Sequence, residues 1–213
     1  MVGLRNELAL GAEAAAFAAF DAGAKAFFGY PGTPSTEAFE RAEILVREAA
    51  DGRVAHWAAN EKVAYELALG ASYTGHRVLV TMKHVGLNVA MDAFVNSAMT
   101  GVQGGLVLLV ADDPGMHSSQ NEQDSRYLAD FANVPCLEPS TVQECYDFGR
   151  EAFALSERLK LPVMLRLVTR LAHCRGPIAR GVTIEPSSVG LPQGADASGW
   201  ILVPASARKQ YVK

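Results

Sequence analysis

The sequence is short of most features that announce a function. Lysine and arginine total 19 against 23 aspartates and glutamates, for a net charge of −4. With no basic run or regularly spaced aromatic platform, no nucleic-acid partner is expected. No apolar run approaches the ~20 residues that span a bilayer, so no membrane partner is expected either. NELALGAEAAAFAAFDAG follows Arg5 in the manner of a secretion signal, but Glu7 and Glu13 interrupt it. It reads as an amphipathic helix, and the protein as cytoplasmic. The three cysteines, Cys136, Cys145 and Cys174, are odd in number and too far apart for a CxxC pair. They suit buried thiols in a reducing compartment better than a disulfide or metal framework, and no metal site is expected in this chain.

Signature motifs are missing as well. There is no GxGxxG and no GxxxxGK[ST], so dinucleotide and P-loop nucleotide binding lose their usual support. There is no GxSxG or HExxH. Ser118 and Ser119 stand beside His117, but adjacency in sequence is not triad geometry, and hydrolysis is set aside.

What is present is a globular pattern, with 49% apolar and 20% charged residues. Short β runs alternate with helical stretches, without repeats. Strands are expected at 26–30, 53–59, 77–83, 104–111, 134–137 and 162–169. Most are apolar without strict alternation, the mark of strands covered on both faces. Thr33 before Pro34 reads as a helix N-cap with proline at the first helical position. Ser140 with Gln143 reads as a capping box, and Asn60 as a cap of a helix that Gly75 can end. The fold class is therefore α/β: a three-layer, doubly wound, mainly parallel sheet of about six strands with helices on both faces. After about residue 176 the composition shifts to EPSSVGLPQGADASG and then the strand-like GWILVP. The reading is one α/β domain over 1–176 and a linker or extension over 177–213.

In such sheets ligands bind beyond the carboxyl ends of the strands. There the chain places YPGTPST, NEK, KHVGLN and ADDPGMHSSQNEQDSR in turn. YPGTPST combines Gly32 with stiffening prolines and a helix start whose free N–H groups suit an anion such as a carboxylate, although a turn with an N-cap explains it as well. Glu61, in a first helical turn, is by default a carboxylate complementing the helix dipole. Ala64, Ala68 and Ala71 behind it let that helix lie close to the sheet. Glu61 then stands at a buried edge, fit to share a proton with a ligand nitrogen. Lys83, His84 and Asn88 follow a strand, with Gly86 permitting a bend, though a lone histidine is more often structural. His56 and His76 read as structural, and His173 as a rim residue. The polar run 111–126 is either a lid or a disordered segment, since loops of this length are seldom anything else.

Read together, GYPGTPST, NEKVAYELALGASYTG, VTMKHVGLNVAMD and GGLVLLVADDPGMHSSQNEQDSRY resemble the indolepyruvate ferredoxin oxidoreductase alpha subunits, within the pyruvate:ferredoxin oxidoreductase group of thiamine diphosphate enzymes. The similarity covers most of residues 5 to 175. It implies the pyrimidine-binding domain of that fold, serving oxidative decarboxylation of an arylpyruvate or other 2-oxoacid to acyl-CoA. It places Glu61 at the glutamate that hydrogen-bonds the pyrimidine ring nitrogen and so activates the cofactor, with His84 as a second catalytic residue. Cofactor contacts are implied from Tyr30, Pro31, Gly32 and Asn88, and substrate contacts from Thr33, Lys83, His84, His117, Gln120 and Asn121. The group's GDG…N diphosphate signature and ferredoxin-like cysteine clusters are absent here. Mg2+ and [4Fe-4S] clusters are accordingly expected elsewhere in the full enzyme. The implied partners are a diphosphate-binding domain or subunit, a second oxidoreductase subunit, ferredoxin and a second copy in a homodimer. The chain is read as one piece of a longer or split enzyme, inactive alone. Two other readings stay open: a non-catalytic subunit or remnant that binds a partner through its strand-end surface, and a flavodoxin-like small-molecule binder.

Overall fold

The computed structural model describes residues 5–186 and 197–211. A first strand, β1 (Arg5–Leu10), leads into helix α1 (Gly11–Asp21), and β2 (Ala26–Gly29) into α2 (Thr36–Ala49). There follow β3 (Val54–Trp57), α3 (Glu61–Tyr73), β4 (Val78–Lys83) and α4 (His84–Thr100). Next come β5 (Leu106–Asp112), α5 (Arg126–Phe131), β6 (Cys136–Leu137) and α6 (Val142–Leu159). β7 (Val163–Val168), a short α7 (Thr169–Ala172), β8 (Arg175–Arg180) and, beyond a 3-10 turn at Ala197–Trp200, α8 (Pro204–Gln210) complete it.

Six strands form one sheet in the order β3-β2-β4-β5-β7-β6, every pair parallel. This is the expected three-layer, doubly wound architecture. The apolar strands supply both layers by simple alternation. Leu79, Val107, Leu109, Val163 and Leu165 face α1, α2 and α6. Val78, Val80, Leu106, Leu108 and Met164 face α3, α4 and α5. Every residue of β4 and β5 is buried, which is why no polar alternation shows in their sequence.

Several local expectations are corrected. The N-terminal stretch is not one amphipathic helix. Its first residues form β1, which pairs antiparallel with β8 from Arg5↔Arg180 to Leu10↔Arg175. Only Gly11–Asp21 is helical, and most of α1 is buried. Its small side chains allow α6 to approach so closely that a Cβ at Gly149 would stand 2.7 Å from Ala18 Cβ. Helix α2 starts at Thr36 with Ser35 at the N-cap, not Thr33, and the Thr33–Pro34 peptide is cis. At α6 the N-cap is Thr141, whose hydroxyl accepts from Glu144 N, while Ser140 N and Oγ donate to the Glu144 carboxylate. The box was one residue out because Thr141, like Ser140, has a hydroxyl to offer. Asn60 does cap α3, accepting from Val63 N, and Gly75 follows the helix end with φ +86°. GWILVP forms no strand: Gly199 and Trp200 end the 3-10 turn and Pro204 opens α8. Of the cysteines only Cys145 is buried; Cys136 is half-buried and Cys174 exposed. Burial pushes the thiols of Cys136 and Cys145 up to about 11 and about 12.

β8 runs across the position where the sequence suggested the domain ends. The chain past it stays tied down, since Ile184 N donates to Asp21 O. Buried Asp21 takes hydrogen bonds from Arg180, Tyr146 and Thr183. Among the described residues no helix is long and apolar enough to cross a membrane.

Candidate functional site

The strand order reverses between β2 and β4, because β3 lies on one side of β2 and β4 on the other. A crevice opens at such a switch point, outside the strands' carboxyl ends. The loops after β2 and β4 meet there. Gly32 N donates to Thr36 Oγ1 at 2.9 Å, and Gly32 O accepts from Ser35 N and Oγ. The loop thereby folds into a compact turn that leaves Pro31 and Thr33 exposed. Tyr30, half-buried, ties its N–H to Thr81 O of β4. A Cβ at Gly32 would stand 3.1 Å from Lys83 Cβ, so the lysine stem runs directly over the glycine backbone.

Glu61 opens α3 and is half-buried. It leans on the first turn of α4, where a Cβ at Gly86 would stand 2.5 Å from its Oε1. Gly86 is thus required for Glu61 to take this position. Among the described residues the Glu61 carboxylate has no hydrogen bond or ion pair. Both carboxylate oxygens are thus available to a ligand that donates to them.

The third wall is the polar run after β5. It is ordered by bonds of its own. Asp112, fully buried, accepts from Ser125 N at 3.0 Å, from the Ser125 hydroxyl and from Arg166 Nε at 2.7 Å. Asp113, also buried, accepts from Ser118 N at 2.8 Å, Ser119 Oγ at 2.6 Å and Thr169 Oγ1 at 2.7 Å. Burial raises the Asp113 carboxyl, but the bonds from Ser119, Ser118 and Thr169 outweigh it and hold the group well below the ordinary range. Ser118 and Ser119 therefore serve an aspartate and not His117. From the last residue of β4, Lys83 Nζ donates to Ser118 O at 2.6 Å, and from α4 His84 Nε2 donates to Asn121 O at 3.2 Å and Asn88 pairs reciprocally with Gln123 at 3.0 and 2.8 Å. Ser118 Oγ reaches Thr33 O at 3.2 Å, closing the ring back to the first loop.

Glu61, Gly32, Thr33, Lys83, His84, Asn88 and Asn121 are thus linked through one set of contacts. His117 and Gln120 are exposed. His117 lines a separate hollow of about 350 Å³ with Pro114, Val168, Thr169 and Arg170, at the carboxyl end of β7. His173 pairs with Glu37 at 3.3 Å. The sequence reading passed over Asp112 and Asp113. Their signal was available: two acids ending a fully apolar strand must find donors if the strand is buried.

A family model described as pyruvate flavodoxin/ferredoxin oxidoreductase, thiamine diphosphate-binding, matches residues 17–180. The chain is 46% identical to indolepyruvate oxidoreductase subunit IorA of Thermococcus kodakarensis, over 95% of this chain and 32% of that protein. It is 45% identical to the IorA subunit of Archaeoglobus fulgidus, again over 32% of that protein. 2-Oxoglutarate synthase subunit KorA of Methanothermobacter thermautotrophicus is 32% identical, over 92% of this chain and 55% of that protein. The chain thus spans about a third of the length of the first two. Among solved structures, 2-oxoglutarate:ferredoxin oxidoreductase from Magnetococcus marinus superposes with a TM-score of 0.74 at 21% identity, covering 83% of this chain and 32% of that one. That match establishes the shared fold.

Proposed function

The chain belongs to the pyruvate flavodoxin/ferredoxin oxidoreductase family, in its thiamine diphosphate-binding part, and on that premise we propose that it forms the pyrimidine side of a thiamine diphosphate site in a 2-oxoacid:ferredoxin oxidoreductase acting on indolepyruvate and related arylpyruvates. The observation that carries this reading is Glu61, a half-buried carboxylate without a partner among the described residues, at the switch point of the sheet. Its fit to the cofactor is supported by Gly86, whose missing Cβ leaves the space the carboxylate occupies. When bound, thiamine diphosphate supplies an electron sink for decarboxylation of a 2-oxo acid.

The chain's own residues then have distinct tasks. Glu61 holds a proton shared with a ring nitrogen of the aminopyrimidine. Tyr30, Pro31 and Gly32 offer backbone to the ring, and Asn88 fixes the neighbouring loop through Gln123. Thr33, Lys83, His84, Gln120 and Asn121 border the place for the 2-oxo acid, and His117, which lines the separate hollow at β7, meets it only if the loop rearranges. The diphosphate, its Mg2+ and the [4Fe-4S] clusters belong in this reading to a partner domain or subunit. Ferredoxin takes the electrons, the product is an acyl-CoA, and the chain alone is inactive. Val89, Tyr127 and Phe131 lie 51%, 74% and 68% exposed on α4 and α5. Apolar side chains so open favour a partner subunit or a second copy of the chain on that side.

The test is assembly with a subunit that carries the diphosphate domain, supplied with thiamine diphosphate, Mg2+, coenzyme A, ferredoxin and indolepyruvate. Changing Glu61→Gln is expected to lower turnover by roughly 10²–10⁴-fold, with an unchanged melting temperature. Near-normal turnover in that variant sinks the role of Glu61. An assembled wild-type complex that never decarboxylates supports the non-catalytic, partner-binding reading instead.

A further inference from the structure

Resting on the reading that this site takes a 2-oxo acid, we propose that Lys83 is the countercharge for the ligand's carboxylate and, without ligand, the latch that holds the loop 117–123 closed. The lysine is 7% exposed, its stem laid on Gly32. Its ammonium has three N–H donors, yet the contact that holds it is the Ser118 carbonyl at 2.6 Å. Among the described residues no carboxylate oxygen comes within 4.0 Å of Nζ. A buried cation facing only a carbonyl dipole is expensive and is satisfied best by an arriving anion.

The nearby acids are committed elsewhere. Asp113 is held by Ser118, Ser119 and Thr169, and Glu122 accepts from Gly115 N, while Glu61, which has no partner among the described residues, forms no ion pair with Lys83. Beside the lysine, fully buried His84 spends Nε2 on Asn121 O and leaves Nδ1 without a partner. Two consecutive buried residues therefore each keep polar capacity unspent. Lys62, which follows Glu61 on α3, is paired with Asp92 and Glu66. A single free ammonium neutralises a monoanion such as a carboxylate and falls short of a diphosphate.

The latch follows from the acceptor. A backbone carbonyl is exchangeable for a carboxylate oxygen, and Ser118 also bridges to Thr33 O. When Nζ turns to the ligand, Ser118 O is released and the peptides of residues 118–121 reorient, while Asp113 keeps its bonds to Ser118 N and Ser119 Oγ and Asn88 its pair with Gln123.

Amide exchange and 15N chemical shifts of the full chain, without thiamine diphosphate, test this with three probes: indole-3-pyruvate, its methyl ester and inorganic pyrophosphate. The acid is expected to perturb the amides of residues 118–121, and the ester and pyrophosphate to leave them alone. Lys83→Gln is expected to weaken the acid's effect on the order of tenfold or more in apparent Kd. An equal response to the ester, a stronger one to pyrophosphate, an unaltered response in the variant, or none to the acid overturns the proposal. Should Lys83→Gln fail to fold, the comparison of acid with ester on the unaltered chain decides. Because the cofactor is left out, failure here leaves the Glu61 reading standing, and failure of the Glu61 test leaves this one untouched.

Discussion

Gly86 shows how one missing methyl group shapes the site. A Cβ there meets Glu61 Oε1 at 2.5 Å and Glu61 Cγ at 2.6 Å, the flexible end of a side chain that can swing toward solvent. Gly86→Ala is therefore expected to leave stability unchanged or raise it by roughly 0.5–1 kcal/mol, the helical advantage of alanine. It should at the same time weaken thiamine diphosphate binding in the assembled enzyme. Calorimetric titration beside a thermal melt separates the two, and unimpaired cofactor binding would refute the Gly86–Glu61 coupling. The sequence placed Glu61 on the first turn of a helix and Gly86 after a strand. That these two touch depended on α3 and α4 packing side by side, which no local spacing encodes.

At the scale of elements, the polar run after β5 is a loop whose order is electrostatic at its root. The Asp113 carboxyl is held below its ordinary range, so its contribution is present above the unfolded value, ~3.9, and fades as pH falls through the lower folded value. Exchange protection of the Ser118 amide, which donates to Asp113, should thus be flat from neutral pH to about 5 and disappear only in stronger acid. Loss of protection already near pH 6 would mean that another group holds the loop. Asp113→Asn turns one of two accepting oxygens into an N–H2, which then faces either the Thr169 hydroxyl at Oδ1 or Ser118 N and the Ser119 hydroxyl at Oδ2, at a cost of about 1–3 kcal/mol, measured by denaturant unfolding. Composition left lid and disorder equally open. Burial of β5 decided for order, because it fixes Asp112 and Asp113 where their only relief is hydrogen bonds from Ser118, Ser119, Ser125, Thr169 and Arg166.

At the scale of the molecule, the β1–β8 ribbon and the Asp21 cluster carry the fold past residue 176. Asp21 is fully buried and Arg180 is 6% exposed. Burial raises the aspartate, while Arg180, Thr183 and Tyr146 outweigh it and hold the carboxyl low. Asp21→Ala strands a buried guanidinium and should cost about 3–5 kcal/mol. A fragment ending at residue 186 should melt like the full chain. One ending at residue 176 should be markedly less stable, since it loses Arg180 and buried Ile178; equal melting of the two would place the domain end where composition alone put it. The sequence by itself determined the parallel, doubly wound class, because apolar runs of strand length alternating with helices admit few other arrangements. It also determined which loops converge, since every strand of such a sheet delivers its carboxyl end to the same edge. Only the tertiary structure decided that Arg5–Leu10 is a strand, that α1 is buried nearly all round, and that Glu61 lies on Gly86 and Lys83 on Gly32. Those outcomes depend on partners distant in the chain, whose contribution no window of neighbouring residues contains.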